Sequence, residues 1–156
     1  MKETGKLLAA IGICQGAGII GSFFVASSIQ EWYLFLEKPL FSPPNWIFGP
    51  VWGTLYTLMG VSLYLVWKTR TKEECHCGPL TVFFFQLGFH ALWPIVFFAL
   101  RSPLLALLVL CVLCISLVWT TLLFWNVRKL AGALLIPSVL WVLFAAYLNF
   151  FLWRIN

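Results

Sequence analysis

The sequence predicts an all-α, integral membrane bundle of five transmembrane helices, and three observations carry that prediction. Of the 156 residues, 62% are hydrophobic and only 10% charged, where an average soluble domain is roughly 25% charged. A bilayer-spanning helix takes about 20 mostly apolar residues. The charges fall between five such stretches, at 7–29, 46–67, 79–100, 103–126 and 130–153. Those stretches leave little chain for anything else, so residues 1–156 are expected to form one membrane domain. The acids number five, all Glu, against ten Lys plus Arg, and no basic run points to nucleic acid. The same composition excludes disorder, a collagen-like repeat and a disulfide scaffold, and leaves no carboxylates for a metal cage inside the membrane.

Residues 1–29 resemble a signal peptide, with basic residues before an apolar run and Val25-Ala26-Ser27 in the place of a cleavage site. The apolar run exceeds the usual 7 to 15 residues of such peptides, which favours a retained first helix. Gly12 and Gly16 form a GxxxG, extended by Gly18 and Gly21, a pattern that permits close approach of another helix from this chain or a second subunit. The connection that follows, 28–45, carries Glu31, Glu37 and Lys38 together with Trp32, Tyr33, Phe35, Phe41, Pro39, Pro43 and Pro44. Proline fixes φ and pushes the preceding residue towards extended conformations. The segment is therefore expected to be a stiffened, non-helical lid whose rings cover one end of the bundle.

The second span opens near Pro50 and carries Trp52, Tyr56 and Met59 along one stripe. In the third, Gln86, His90, Trp93 and Phe97 recur at i, i+4, i+7 and i+11, on one helical face. An amide or imidazole facing hydrocarbon is costly, so this face is expected to look into the bundle, either as interhelical glue or as a binding surface. Pro94 frees the carbonyl of His90 and is expected to kink the helix beside that polar pair. The fourth span, mostly Leu, Val and Cys with Trp119, is predicted to be scaffold and lipid-facing wall. The fifth places Pro137, Trp141, Ala145, Leu148, Asn149 and Leu152 on one face. Three helices can thus each turn a tryptophan inward, making an apolar, ring-lined cavity suited to a flat polycyclic ligand that accepts one or two hydrogen bonds. The competing reading is that the stripes simply pack the bundle.

The five cysteines form no framework. Cys75-His76-Cys77 offers three metal ligands in consecutive residues, which cannot easily close a tetrahedral site, and Cys111 and Cys114 in an apolar helix lack the electropositive surroundings of a redox pair. No metal centre is expected. Trp46, Trp67, Trp125 and Trp153 fall near span ends, where an indole suits the headgroup layer. Lys2, Lys6, Lys68, Arg70, Lys72, Arg128 and Lys129 lie on one side, against Lys38, Arg101 and Arg154 on the other. This asymmetry predicts a cytoplasmic N-terminus and a C-terminus across the membrane, without identifying which membrane.

Trp32-Tyr33, Lys38-Pro39, Pro43-Pro44 and Pro50-Val51-Trp52-Gly53-Thr54-Leu55-Tyr56 resemble the TspO/MBR family, the translocator proteins once called peripheral benzodiazepine receptors. Gln86-Leu87, Trp93-Pro94 and Phe97-Phe98 resemble its third helix. Pro137, Leu140-Trp141, Phe144-Ala145, Leu148-Asn149 and Trp153-Arg154 resemble its fifth. The resemblance covers nearly the whole chain. It implies a five-helix bundle, often a homodimer, that binds porphyrins, haem, sterols and benzodiazepine-like drugs in a pocket closed by the first loop. It places pocket tryptophans at Trp52, Trp93 and Trp141, loop aromatics at Trp32 and Tyr33, a polar contact at Gln86 and a small pocket residue at Ala145. Some bacterial members are reported to degrade protoporphyrin in light, which would make Trp52 and Trp141 catalytic candidates without an acid–base pair.

Three departures bear on these expectations. His90 stands where the family usually has Asn, which raises the alternatives of haem ligation and of a hydrogen-bonded stand-in. Phe150 replaces the tyrosine of the sterol-recognition pattern, and Tyr147 lies outside the allowed spacing from Arg154. The fourth-helix acid is replaced near Val109 and the third-helix glycine motif is absent around Thr81 and Phe85, so a dimer geometry does not transfer. The sequence thus predicts a membrane receptor or carrier for tetrapyrroles, sterols and similar polycycles with no obligatory cofactor. Its ligand contacts would be Trp32, Tyr33, Trp52, Gln86, His90, Trp93, Trp141, Ala145 and Leu148. Photo-oxidative porphyrin degradation and a ligand-free assembly role are the alternatives.

Overall fold

The computed structural model describes residues 3–69 and 77–156, the side chains of Ser27 and Cys77 excepted. The metal-ligand triplet Cys75-His76-Cys77, with Lys2, Arg70 and Lys72, therefore lies outside what is described. Among the described residues no group of three His, Cys, Asp or Glu side chains could hold a metal.

Five long helices form: α1 (Glu3–Glu31), α2 (Asn45–Lys68), α3 (Cys77–Pro94), α4 (Pro103–Val127) and α5 (Lys129–Ile155). Each extends a few residues past the expected apolar run except α3. There Pro94, which has no N–H to give the His90 carbonyl, is followed by a wide π turn over Ile95–Ala99, closed by Leu100 N–H donating to the Ile95 carbonyl at 3.1 Å. Arg101 then takes a left-handed φ of 50°. Ser102 caps α4, its hydroxyl accepting from the Leu105 N–H at 3.4 Å with Pro103 at the first helical position. Among the described residues, four helical stretches, Glu3–Glu31, Gly78–Ala99, Pro103–Val127 and Lys129–Ile155, are long and apolar enough to cross a membrane by length and composition. The other long helix, α2, is diluted by Pro50, Thr54, Tyr56, Thr57 and three glycines.

Neighbour contacts run from α1 to α2, α2 to α5, α5 to α4, α4 to α3 and α3 back to α1, so the helices close a five-membered ring. One end of that ring is solid. Ala10, Cys14, Met59, Leu63, Phe83, Phe124 and Leu135 pack there, with Phe83 and Phe124 stacked at 5.4 Å and 10°. The Ser62 hydroxyl donates to the Ala131 carbonyl at 2.7 Å, tying α2 to the start of α5.

Of the α1 glycines in the GxxxG pattern and its extension, Gly18 and Gly21 meet other helices of this chain. A Cβ at Gly12 or Gly16 would meet nothing within 4 Å, whereas one at Gly18 would lie 2.5 Å from Tyr56 and one at Gly21 2.6 Å from Pro94. A Cβ at Gly60 of α2 would come within 2.5 Å of the Ile11 Cα. Close approaches within the chain thus fall at Gly18, Gly21 and Gly60, and at Gly132, where a Cβ would lie 2.8 Å from the Trp125 Cα.

At the opposite end, the connection expected to be non-helical over 28–45 is partly helical. α1 continues to Glu31 and a single 3-10 turn follows at Tyr33–Phe35. The prolines act later in the segment, where Leu36 is extended and Pro44 leads into α2. Three contacts pin this connection. Arg101 pairs with Glu31 at 2.9 Å, the Glu37 N–H donates to Asn156 Oδ1 at 3.0 Å, and Asn156 Nδ2 donates to the Glu37 carbonyl at 3.0 Å.

Candidate functional site

A half-open cavity of about 560 Å³ lies within the ring at the end beneath this connection. Its size lies within the usual range of small-molecule pockets. α1 contributes Gln15, Gly18, Ser22, Val25 and Ile29. α2 contributes Phe48, Trp52 and Tyr56, α3 contributes His90, Trp93 and Pro94, and α5 contributes Ala145, Leu148, Asn149 and Leu152. Among the described residues, none that lines it is Asp, Glu, Lys or Arg.

The rings are arranged as walls. Trp52 and Trp93 stack at 5.9 Å with 27° between planes, and Trp93 continues onto Phe97 at 5.7 Å. Phe97 in turn meets Trp32 and Tyr33 edge-on at 5.4 and 6.1 Å. Tyr33 is 5% exposed and lines the cavity at the lid, with the Lys38 ammonium 4.6 Å from its ring centroid. Burial pushes the Tyr33 phenol above its usual pKa, so it stays neutral. Beneath the lid the Ser28 hydroxyl donates to the Phe98 carbonyl at 2.8 Å, within the π turn.

The structure brings Tyr33, Trp52, His90, Trp93, Ala145 and Leu148 around one cavity and leaves Trp32, Gln86 and Trp141 off its lining. Trp32 sits behind Phe97. Gln86 is fully buried one helical turn nearer the packed end, with neither amide atom partnered among the described residues. Trp141 lies against Phe144 at 5.5 Å and against Phe48 at 6.1 Å, and Phe48 takes the cavity face.

Gln15, Phe48 and Asn149 also line the cavity, as does Trp46. Asn149 stood on the predicted α5 face, whereas Phe48 lies in the first turn of α2 and carried no periodic signal. Gln15 had one: a lone amide in an apolar span is a candidate functional residue. Its Nε2 donates to the Gly53 carbonyl and to Thr57 Oγ1, both at 2.9 Å, clasping α1 to α2 at the cavity wall.

The fold and site define a multi-pass helical membrane protein with an uncharged, tryptophan-walled cavity within the bundle. The chain belongs to the TspO/MBR family, which matches residues 10–154, and its five helices form that family's membrane bundle. It is 42% identical over 151 residues to the tryptophan-rich protein TspO of Archaeoglobus fulgidus, covering 97% of each chain. The corresponding protein of Chlorobaculum tepidum is 38% identical over 156 residues, 99% of this chain and 98% of the relative. The translocator protein of Homo sapiens is 40% identical over 138 residues, 88% of this chain and 82% of the relative.

Proposed function

We propose that this protein is a membrane receptor or carrier that binds tetrapyrroles, and similar hydrophobic polycycles such as sterols and benzodiazepine-like compounds, within the bundle. The observation that carries this reading is the stacked pair Trp52 and Trp93 on the wall of an uncharged cavity of about 560 Å³. Flat indole faces in a largely apolar site favour a flat aromatic ligand. The lid from Trp32 to Pro44 covers the bound molecule, and the basic residues support a cytoplasmic N-terminus.

A tryptophan-quenching titration of the detergent-purified protein with protoporphyrin tests the reading. Saturable one-site quenching is expected, weakened by Trp52→Phe and Trp93→Phe and much less by Trp141→Phe, whose ring lies off the lining. Quenching that fails to saturate, or that is identical in all three variants, would refute it and favour a structural role.

The same stacked indoles support a second reading, light- and oxygen-dependent porphyrin breakdown, since they would lie against a bound macrocycle. Illuminating the complex decides between the two. A new chromophore that Trp52→Phe abolishes indicates degradation, and an unchanged spectrum indicates binding alone.

A further inference from the structure

The two halves of α1 lean on different neighbours. Towards the packed end α1 lies on α2, where Ile11 sits against Gly60, Gln15 Nε2 donates to the Gly53 carbonyl and to Thr57 Oγ1, and Gly18 fits against Tyr56. Towards the lid it lies instead on α3 and the π turn. There Gly21 fits against Pro94, and the Ser28 hydroxyl donates to the Phe98 carbonyl at 2.8 Å. Beyond the Gln15 clasp α1 and α2 therefore diverge, and a Cβ at Gly49 of α2 would meet nothing within 4 Å.

The cavity opens into that fork. Among its described lining residues, the exposed ones are Ile19, Ser22 and Ala26 of α1 and Trp46 and Gly49 of α2. Those from the connection and from α5 are buried, as are those from α3 and its π turn apart from the half-buried Trp93. Ile19 to Ala26 covers about 10 Å of α1, and Ala26 lies about 8 Å along the helix from Glu31. The exposed pair of Glu31 with Arg101 marks the headgroup level, and half of a bilayer's hydrocarbon core is about 15 Å thick, so the opening faces acyl chains. Ser22 spends its hydroxyl on the Ile19 carbonyl at 2.7 Å. The rim thus gives a passing apolar molecule no unpaired side-chain hydroxyl to desolvate.

We infer that the fork between α1 and α2 is a lateral mouth, through which the cavity exchanges ligand with the hydrocarbon of the bilayer rather than with water at the lid. The ligand class rests on the tetrapyrrole and polycycle reading above, whereas the mouth rests on the helix geometry. The cavity then selects molecules already dissolved in the membrane, and the lid, held by Glu31–Arg101 and by Asn156, stays in place while they pass.

Stopped-flow quenching in phosphatidylcholine proteoliposomes tests this by measuring protoporphyrin association and release in wild type, Gly49→Leu and Asn156→Ala. Leucine at 49 fills the mouth with no neighbour against its Cβ, and both rates are expected to fall about tenfold. Slowed release is the diagnostic part, because mere loss of ligand space would speed it. Asn156→Ala, which loosens the lid, should exchange at the wild-type rates. Faster exchange in Asn156→Ala together with wild-type rates in Gly49→Leu would overturn the inference in favour of entry at the lid, and faster release from Gly49→Leu would overturn it by making Gly49 a simple contact. A second measurement needs no tetrapyrrole. Trp52 emission, taken as the difference between wild type and Trp52→Phe, should be quenched by phosphatidylcholine brominated on its acyl chains, and less so when Gly49→Leu is present in both proteins. An unquenched Trp52 would overturn the mouth. Quenching by the brominated lipid without saturable protoporphyrin binding would support the mouth and remove the tetrapyrrole reading alone.

Discussion

Replacing Gly60 by alanine puts a methyl group where α2 presses against the backbone of α1. The new Cβ would lie 2.5 Å from the Ile11 Cα and 3.0 Å from its backbone nitrogen. Carbon atoms pack comfortably at about 3.5 Å or more, so the two helices must separate by roughly 1 Å. Backbone cannot swing aside as the tip of a side chain can. Overpacking of this kind costs about 1–3 kcal/mol, and the better helix propensity of alanine returns up to about 1 kcal/mol. The net loss is then on the order of 1–2 kcal/mol. Gly12→Ala and Gly16→Ala serve as controls, since a Cβ there meets nothing within 4 Å, and each should be neutral or stabilised by about 0.5–1 kcal/mol. Denaturant unfolding of the three variants in one detergent, followed by near-ultraviolet circular dichroism, measures the difference. A Gly60→Ala protein as stable as Gly12→Ala would show that the α1–α2 crossing is not set by this contact.

Two further perturbations address the cavity and its lid. Ala145 lines the cavity at 7% exposure, so Ala145→Leu should take space from the ligand and weaken protoporphyrin binding about tenfold, roughly 1.4 kcal/mol, without lowering the unfolding midpoint. An unchanged dissociation constant would place the ligand elsewhere. Asn156→Ala removes both hydrogen bonds to the Glu37 backbone, each worth about 0.5–1.5 kcal/mol. Amide exchange at Glu37 and proteolysis within 36–44 should quicken while global stability holds; exchange at the wild-type rate would mean that the C-terminal clasp does not hold the lid.

The cavity wall illustrates how far periodicity reaches. Helical spacing put Gln86, His90 and Trp93 on one face of α3, and they do share it. It could not say what stands opposite each turn. The ring fills with Phe83, Phe124 and their neighbours at one end, so His90 and Trp93 reach the cavity while Gln86 falls into the packed region. On α5 the same rule grouped Trp141 with Ala145 and Leu148, but Phe48 from α2 takes the cavity face in front of the indole. Pro94 was expected to kink α3 and produces a π turn, whose displaced carbonyl at Phe98 is taken up by Ser28 of α1.

By itself the sequence located the five long helices, because an apolar run of that length is a local property that no neighbour needs to complete. It also determined which side chains share a helical face and that rings gather at the lid end. Only the tertiary structure decided the ring order of the helices, which glycines lie at close crossings, how the lid is pinned, and which of the aligned tryptophans reach the cavity. It decided, too, that the His90 ring is buried with Nδ1 3.2 Å from the Gln86 carbonyl. These features depend on what faces each residue across the bundle, and a single helix carries no information about its opposite wall.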